Sequence, residues 1–344
     1  MAPRRLLAKH SPSLSDSLPL KSQTVLTSSA RASSDGFACS VLACLLPREE
    51  KFNAMCDENT VQDAEDLGRA GSITRREFNT LAAGAAAAVT LPAVANAKAV
   101  SATDVMINTP DGKCDAFFVY PSEGKHPAVL IWPDILALRA SFRTMATRLA
   151  ESGYSVLCIN PYYRDAVAPV VETGESFQDA STQKKVLPMY RNLSPETHRT
   201  DARAFVDWLD AQSPVDTSRP IGTMGYCMGG PMVMRAAAEC SDRIGAGCAY
   251  HPVSLATEDD DSPHLLISKM NGQFLIALAE NDDERNPDDK SVLREAFSAE
   301  GLTAEVTVFE GALHGWCVLD SRVYNEGAAE VAWAKTLEIL NSAL

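Results

Sequence analysis

The chain has little of what nucleic acids, bilayers or metals require. Its 31 Lys and Arg stand against 45 Asp and Glu, a formal charge of −14. It therefore lacks the excess of basic side chains that phosphate backbones and anionic lipid headgroups demand. From Cys114 onward no cysteine belongs to a C-x-x-C pair, and none is grouped with histidines at metal-ligand spacing. The apolar stretch from Leu81 to Ala95 is short of the roughly 20 residues that a permanent membrane helix needs. Nucleic-acid partners, a stable membrane anchor, and a metal or organic cofactor are not expected. What remains is ordinary globular protein: 46% apolar and 22% charged residues in 344.

The charge is unevenly placed. Residues 1–97 carry ten basic and ten acidic side chains, so the whole −14 lies on residues 98–344. The first part also carries motifs of its own. Thr74-Arg75-Arg76-Glu77-Phe78 precedes the alanine-rich stretch, which ends in Ala95-Asn96-Ala97. Twin arginines, a mildly apolar h-region and an A-x-A site in that order read as a Tat-type export signal; an Ala-rich buried helix is the alternative. The signal implies the Tat export machinery as a partner, cleavage after Ala97, and a periplasmic or otherwise exported chain beginning at Lys98. If the signal is unused, the chain stays cytoplasmic. Met1 to Ala54 is Ser-rich and aperiodic, which reads as disorder, or as untranslated sequence if synthesis begins at Met55. The expected organisation is thus residues 1–54 outside the fold, 55–97 a signal region, and 98–344 one domain.

Within that domain, strand and helix signals alternate. Val105–Asn108 and Ala116–Tyr120 flank Thr109-Pro110-Asp111-Gly112, which is hairpin chemistry. Ala128–Trp132 and Ser155–Ile159 are continuous apolar runs, as in strands covered on both faces. Phe142, Met145, Ala146 and Leu149 repeat at helical spacing up to a stop at Gly153. Helices are predicted over Thr197–Leu209, Pro231–Glu239, Lys290–Glu300 and Ala328–Leu340. Strands are predicted over Pro220–Tyr226, Ala246–Tyr250, Phe274–Ala279 and Glu305–Phe309. Such alternation predicts an α/β fold: a mostly parallel sheet of seven or eight strands with helices on both faces. Between Tyr162 and Ser194 the period fails, and a lid or substrate loop is expected.

The chemistry concentrates after the predicted strands. Gly225-Tyr226-Cys227-Met228-Gly229-Gly230 is a nucleophile elbow with sulfur in the hydroxyl's place. Glycines flank the nucleophile because a tight strand-to-helix turn leaves no room for Cβ atoms. The helix N-terminus then favours both the thiolate and a developing oxyanion. An acid and a base should follow in chain order. Asp282 and Asp283 compete for the acid beyond Phe274–Ala279. His314, in His314-Gly315-Trp316, is the base that fits the order, with His251 its one serious rival.

From about residue 103 to 343 the chain resembles the dienelactone hydrolase family in motif order and spacing. The match rests on Gly225–Gly230, on Ala279-Glu280-Asn281-Asp282 as the acid loop, and on His314-Gly315-Trp316. The resemblance implies an α/β-hydrolase fold, a Cys227-Asp282-His314 triad and oxyanion donors at the Ile135 and Met228 N–H groups. It sets Asp134, in Pro133-Asp134-Ile135, where the family has a glutamate that handles the resting thiol. It points to Arg164 as a clamp for a substrate carboxylate, with Tyr162 and Trp316 as further contacts. A second clamp arginine would fall at Val318 and is missing, so a dianionic substrate does not carry over.

The expected reaction is hydrolysis of a small lactone, carboxylic ester or thioester through a thioester acyl-enzyme, by a monomer. Two rivals stand beside it: a thiol redox or peroxide-responsive protein, and a non-catalytic ligand-binding protein on the same scaffold.

Overall fold

The computed structural model describes residues 91–344, in which one eight-stranded sheet carries the fold. The proposed signal arginines and the segment before them lie outside the described residues. Ala95 and Asn96 form an exposed turn just ahead of the first strand.

Strands β1 (Val100–Thr109) and β2 (Gly112–Pro121) form the expected hairpin, closing at Thr109 opposite Gly112. They are followed by β3 (Ala128–Trp132), helix α1 (Ala140–Glu151) and β4 (Ser155–Ile159). Next come α2 (Ala180–Arg191), α3 (Pro195–Asp210), β5 (Ile221–Tyr226), α4 (Gly229–Glu239) and β6 (Ile244–Tyr250). The chain ends with β7 (Gln273–Ala279), α5 (Glu280–Arg285), α6 (Asp289–Ala299), β8 (Thr303–Phe309) and α7 (Glu326–Ala343). The sheet order is β1-β2-β4-β3-β5-β6-β7-β8, parallel from β4 to β8 and antiparallel in the two pairings that involve β2.

Two apolar layers cover the sheet, and alternate residues of one strand enter different layers. Leu130 and Trp132 pack with Phe205 of α3, Met232 of α4 and Phe297 of α6. Val129 and Ile131 pack with Phe142 of α1 and Leu340 of α7. Period-two alternation inside an unbroken apolar run is what a strand covered on both faces requires. Ser194 begins α3 with a capping box to Thr197, and Pro195 supplies the first turn.

One expectation needs correction. The stretch 162–194 is not all loop, because α2 runs through it. Only Thr182 and Val186 of α2 are buried, and Pro188 lies inside it. A single i, i+4 pair is too narrow a stripe to show as a period, and an internal proline reads as a breaker.

Candidate active site

The carboxyl ends of the parallel strands converge on one cleft. Trp132 pairs with Gly225, Tyr226 with Tyr250, Tyr250 with Ala277, and Ala279 with Phe309. This register places Ile135, Cys227, His251, Asp282 and His314 just beyond neighbouring strand ends, where open α/β sheets gather ligands. The cleft measures about 740 Å³ including its open mouth, and Asp134, Ile135, Cys227, His251 and His314 all line it. A separate pocket, between α1 and α7, holds none of these residues.

Cys227 occupies the left-handed region at φ 53°, a conformation that costs a non-glycine residue of order 1–3 kcal/mol. Backbone bonds hold it there: its N–H donates to Tyr250 O at 3.0 Å, and its carbonyl accepts from Gly230 at 3.0 Å and Val253 at 3.3 Å. The glycines are needed for close approach. A Cβ on Gly225 would stand 2.2 Å from Gly229 O, and one on Gly229 would stand 2.4 Å from Trp132 O. Met228 caps α4 with helical angles, so its N–H belongs to a first turn whose donors find no upstream carbonyl.

The two candidate aspartates have different partners. Asp282 Oδ2 lies 2.6 Å from His314 Nδ1, whereas both oxygens of Asp283 are taken by Lys290 Nζ at 2.6 and 2.7 Å. Asp282 sits in the short helix α5 rather than in a loop. Two hydrogen bonds join the Asp282 and His314 segments: Asn281 Oδ1 accepts the His314 N–H at 2.9 Å, and Glu280 N–H donates to Ala312 O at 2.9 Å. His251 is fully buried, and its ring meets that of His314 edge-on at 4.8 Å. Burial holds its imidazole well below the ordinary histidine range, and the neighbouring His314 adds to the effect. Neither ring nitrogen of His251 has a hydrogen-bond partner among the described residues. It has no carboxylate to orient it as a base.

Three residues assigned to substrate are not brought to the cleft. Arg164 turns instead to Asp201, at 2.7 and 2.9 Å, and to Asp111, at 2.6 Å. Trp316 is wholly buried and stacks on Phe309 at 4.5 Å. Tyr162 is also buried; its hydroxyl donates to Ile135 O at 3.1 Å and lies 3.3 Å from Met228 Sδ. It therefore braces Ile135 and Met228. Asp134 does line the cleft, but both its oxygens are bound by Arg139, at 2.6 and 2.9 Å. Arg139 escaped the sequence reading, as did Phe177 and Arg322 at the cleft wall. Arg139 reaches Asp320, 181 positions away, and no local pattern reports such a contact. Among the described residues no group of three or more His, Cys, Asp or Glu side chains is placed to hold a metal ion.

Comparison with known proteins agrees with this fold. The carboxymethylenebutenolidase of Pseudomonas putida is 23% identical over 223 residues, 64% of this chain and 87% of that protein. Hydrolase tropI of Talaromyces stipitatus is 27% identical over 199 residues, 58% of this chain and 73% of that one. The solved structure of a dienelactone hydrolase-like promiscuous phosphotriesterase from metagenomic libraries shares the fold, with a TM-score of 0.59 and 19% identity. That likeness covers 71% of this chain and 99% of the other. Residues 114–344 match the dienelactone hydrolase family as a whole, and with that match spanning most of the chain, it belongs to the dienelactone hydrolase family.

Proposed function

We propose that the chain hydrolyses a small lactone, carboxylic ester or thioester through Cys227, His314 and Asp282. The observation that carries this reading is the 2.6 Å Asp282–His314 bond beside a cysteine held at φ 53° in the same cleft. Family membership supports the reaction class.

His314, oriented by Asp282, takes the proton of the Cys227 thiol as sulfur attacks the substrate carbonyl. A C–S bond forms, and the carbonyl oxygen becomes an oxyanion between the Ile135 and Met228 N–H groups. As the oxyanion collapses, the bond to the leaving alkoxide or thiolate breaks, and His314 passes it the proton. Water then gives a proton to His314 and attacks the thioester. A second collapse releases the acid and returns the proton to sulfur. Arg164 and Val318 supply no cation to the cleft, although the half-exposed Arg322 lines it, so the charge of the substrate is not assigned. The redox reading is less well supported, because among the described residues no other cysteine lines the cleft. Export through the Tat machinery, with cleavage after Ala97, remains part of the proposal, as does a monomeric state.

A panel of short aryl esters and lactones, with wild type set against Cys227→Ala, tests the reading. Hydrolysis lost in the variant, with an acyl adduct on Cys227 in the wild type by mass spectrometry, is the expected result. Equal turnover by both proteins overturns it.

A further inference from the structure

Arg139 is the most heavily bonded side chain at the cleft, and the reaction as described does not use it. It is 8% exposed. Its Nη1 and Nη2 grip Asp134 at 2.6 and 2.9 Å, and its Nε and Nη2 grip Asp320 at 2.7 and 2.8 Å. Nη1 also donates to Ala137 O at 3.1 Å. All five guanidinium N–H groups are thereby used, and none remains for a substrate carboxylate. Burial alone would pull the guanidinium down, but the two carboxylates outweigh it and hold the group cationic.

The two aspartates stand on different parts of the machinery. Asp134 immediately precedes Ile135 and folds the chain around it. Its Oδ1 accepts the Leu136 N–H at 2.9 Å, its carbonyl accepts the Ala137 N–H at 2.9 Å, and Ala137 turns at φ 61°. Asp320 lies six residues after His314, within a run of tight turns in which Trp316 N–H donates to Leu313 O, Val318 N–H to Gly315 O and Ser321 N–H to Val318 O. A single buried cation thus ties the oxyanion turn to the segment that carries the base.

We propose that Arg139 is a positioning residue, anchoring Asp134 to Asp320 so that the Ile135 N–H is aimed at the substrate carbonyl, while His314 is held independently by Asn281 and Asp282. Asp134 serves in this chain as one jaw of the clamp, not as an acid acting on the Cys227 thiol. The inference rests on the hydrolase reading. Bidentate guanidinium–carboxylate pairs fix orientation as well as distance. Without the cation, two carboxylates would face each other, and the turn that aims the Ile135 N–H would shift.

The test compares Arg139→Met, Arg139→Lys, Asp134→Asn and Asp320→Asn in the full chain. Two reactions of Cys227 are measured: aryl-ester hydrolysis and alkylation by iodoacetamide. Alkylation attacks a saturated carbon and develops no oxyanion, so it reads the thiol and His314 without the Ile135 donor. Losing one oxyanion donor costs about 100- to 1,000-fold in kcat. Arg139→Met should approach the lower end of that range, with KM within about threefold. Asp320→Asn, which severs only the half-exposed jaw, should lose about tenfold, and Arg139→Lys should fall between wild type and Arg139→Met. Alkylation rates should stay within about twofold, and the alkylation pH profile of Asp134→Asn should not move. The clamp is overturned if hydrolysis and alkylation fall together, if the pH profile shifts in Asp134→Asn, or if Asp320→Asn hydrolyses esters like wild type. Asp320→Asn decides the matter even if Arg139→Met does not fold. Failure of the hydrolase reading itself would show in the wild type, as absent turnover and no acyl adduct.

Discussion

Replacing Gly229 by alanine puts the elbow under the most direct stress. The new Cβ would lie 2.4 Å from the Trp132 carbonyl oxygen and 3.1 Å from Trp132 Cβ. That is about 1 Å inside ordinary contact. Trp132 cannot yield readily: β3 is buried along its whole length, and the indole Nε1 donates to buried Thr223 at 3.0 Å. The start of α4 must move instead, taking Cys227 and the Met228 N–H with it. Misplacing a reacting group by about 1 Å costs roughly 100-fold in rate, and overpacking costs about 1–3 kcal/mol of stability. For a domain of this size that corresponds to a fall in Tm of roughly 2–12 °C. Ester hydrolysis under saturating substrate and calorimetry of the same preparation read the two effects separately. Gly327→Ala is the control, since its Cβ would meet only Asn325 Oδ1 at 3.7 Å in α7. A Gly229→Ala variant with kcat within threefold of wild type would refute the assignment of this turn as a tightly packed nucleophile elbow.

Asp282→Asn should lower kcat by up to about 10⁴-fold, as in a serine triad that loses its acid, while Asp283→Asn stays near wild type. Similar losses in both would return the acid to ambiguity. Arg164→Met should leave KM within twofold but destabilise the fold by about 3 kcal/mol, because it strands the buried Asp201 carboxylate; chemical denaturation checks it, and a raised KM at unchanged stability would restore Arg164 as a substrate clamp. His251 stays neutral in the fold, with its pKa depressed, while in the unfolded chain it titrates near about 6.5. Below that pH the unfolded state binds a proton that the folded state refuses, so stability falls on acidification. Wild type should therefore lose more Tm between pH 7.5 and pH 5.5 than His251→Phe does; equal losses would contradict a buried neutral imidazole.

The sequence by itself determined the α/β alternation and nearly every strand, because burial on both faces writes unbroken apolar runs that need no distant partner to be read. It also determined the elbow, since a turn that excludes Cβ atoms leaves its glycines in the chain order Gly225, Gly229, Gly230. The chain order of Cys227, Asp282 and His314 beyond successive strands was legible for the same reason: strand ends are local, and the parallel sheet brings them together. Only the tertiary structure decided which of two adjacent aspartates faces His314, because Lys290 takes Asp283 away. It alone turned Arg164 toward Asp201 and revealed α2, whose narrow buried stripe and internal proline hide its period. It alone joined Arg139 to Asp134 and Asp320, a contact spanning 181 positions. Local period and turn chemistry are properties of neighbouring residues. Which charge pairs with which is set by packing, and packing exists only in the folded chain.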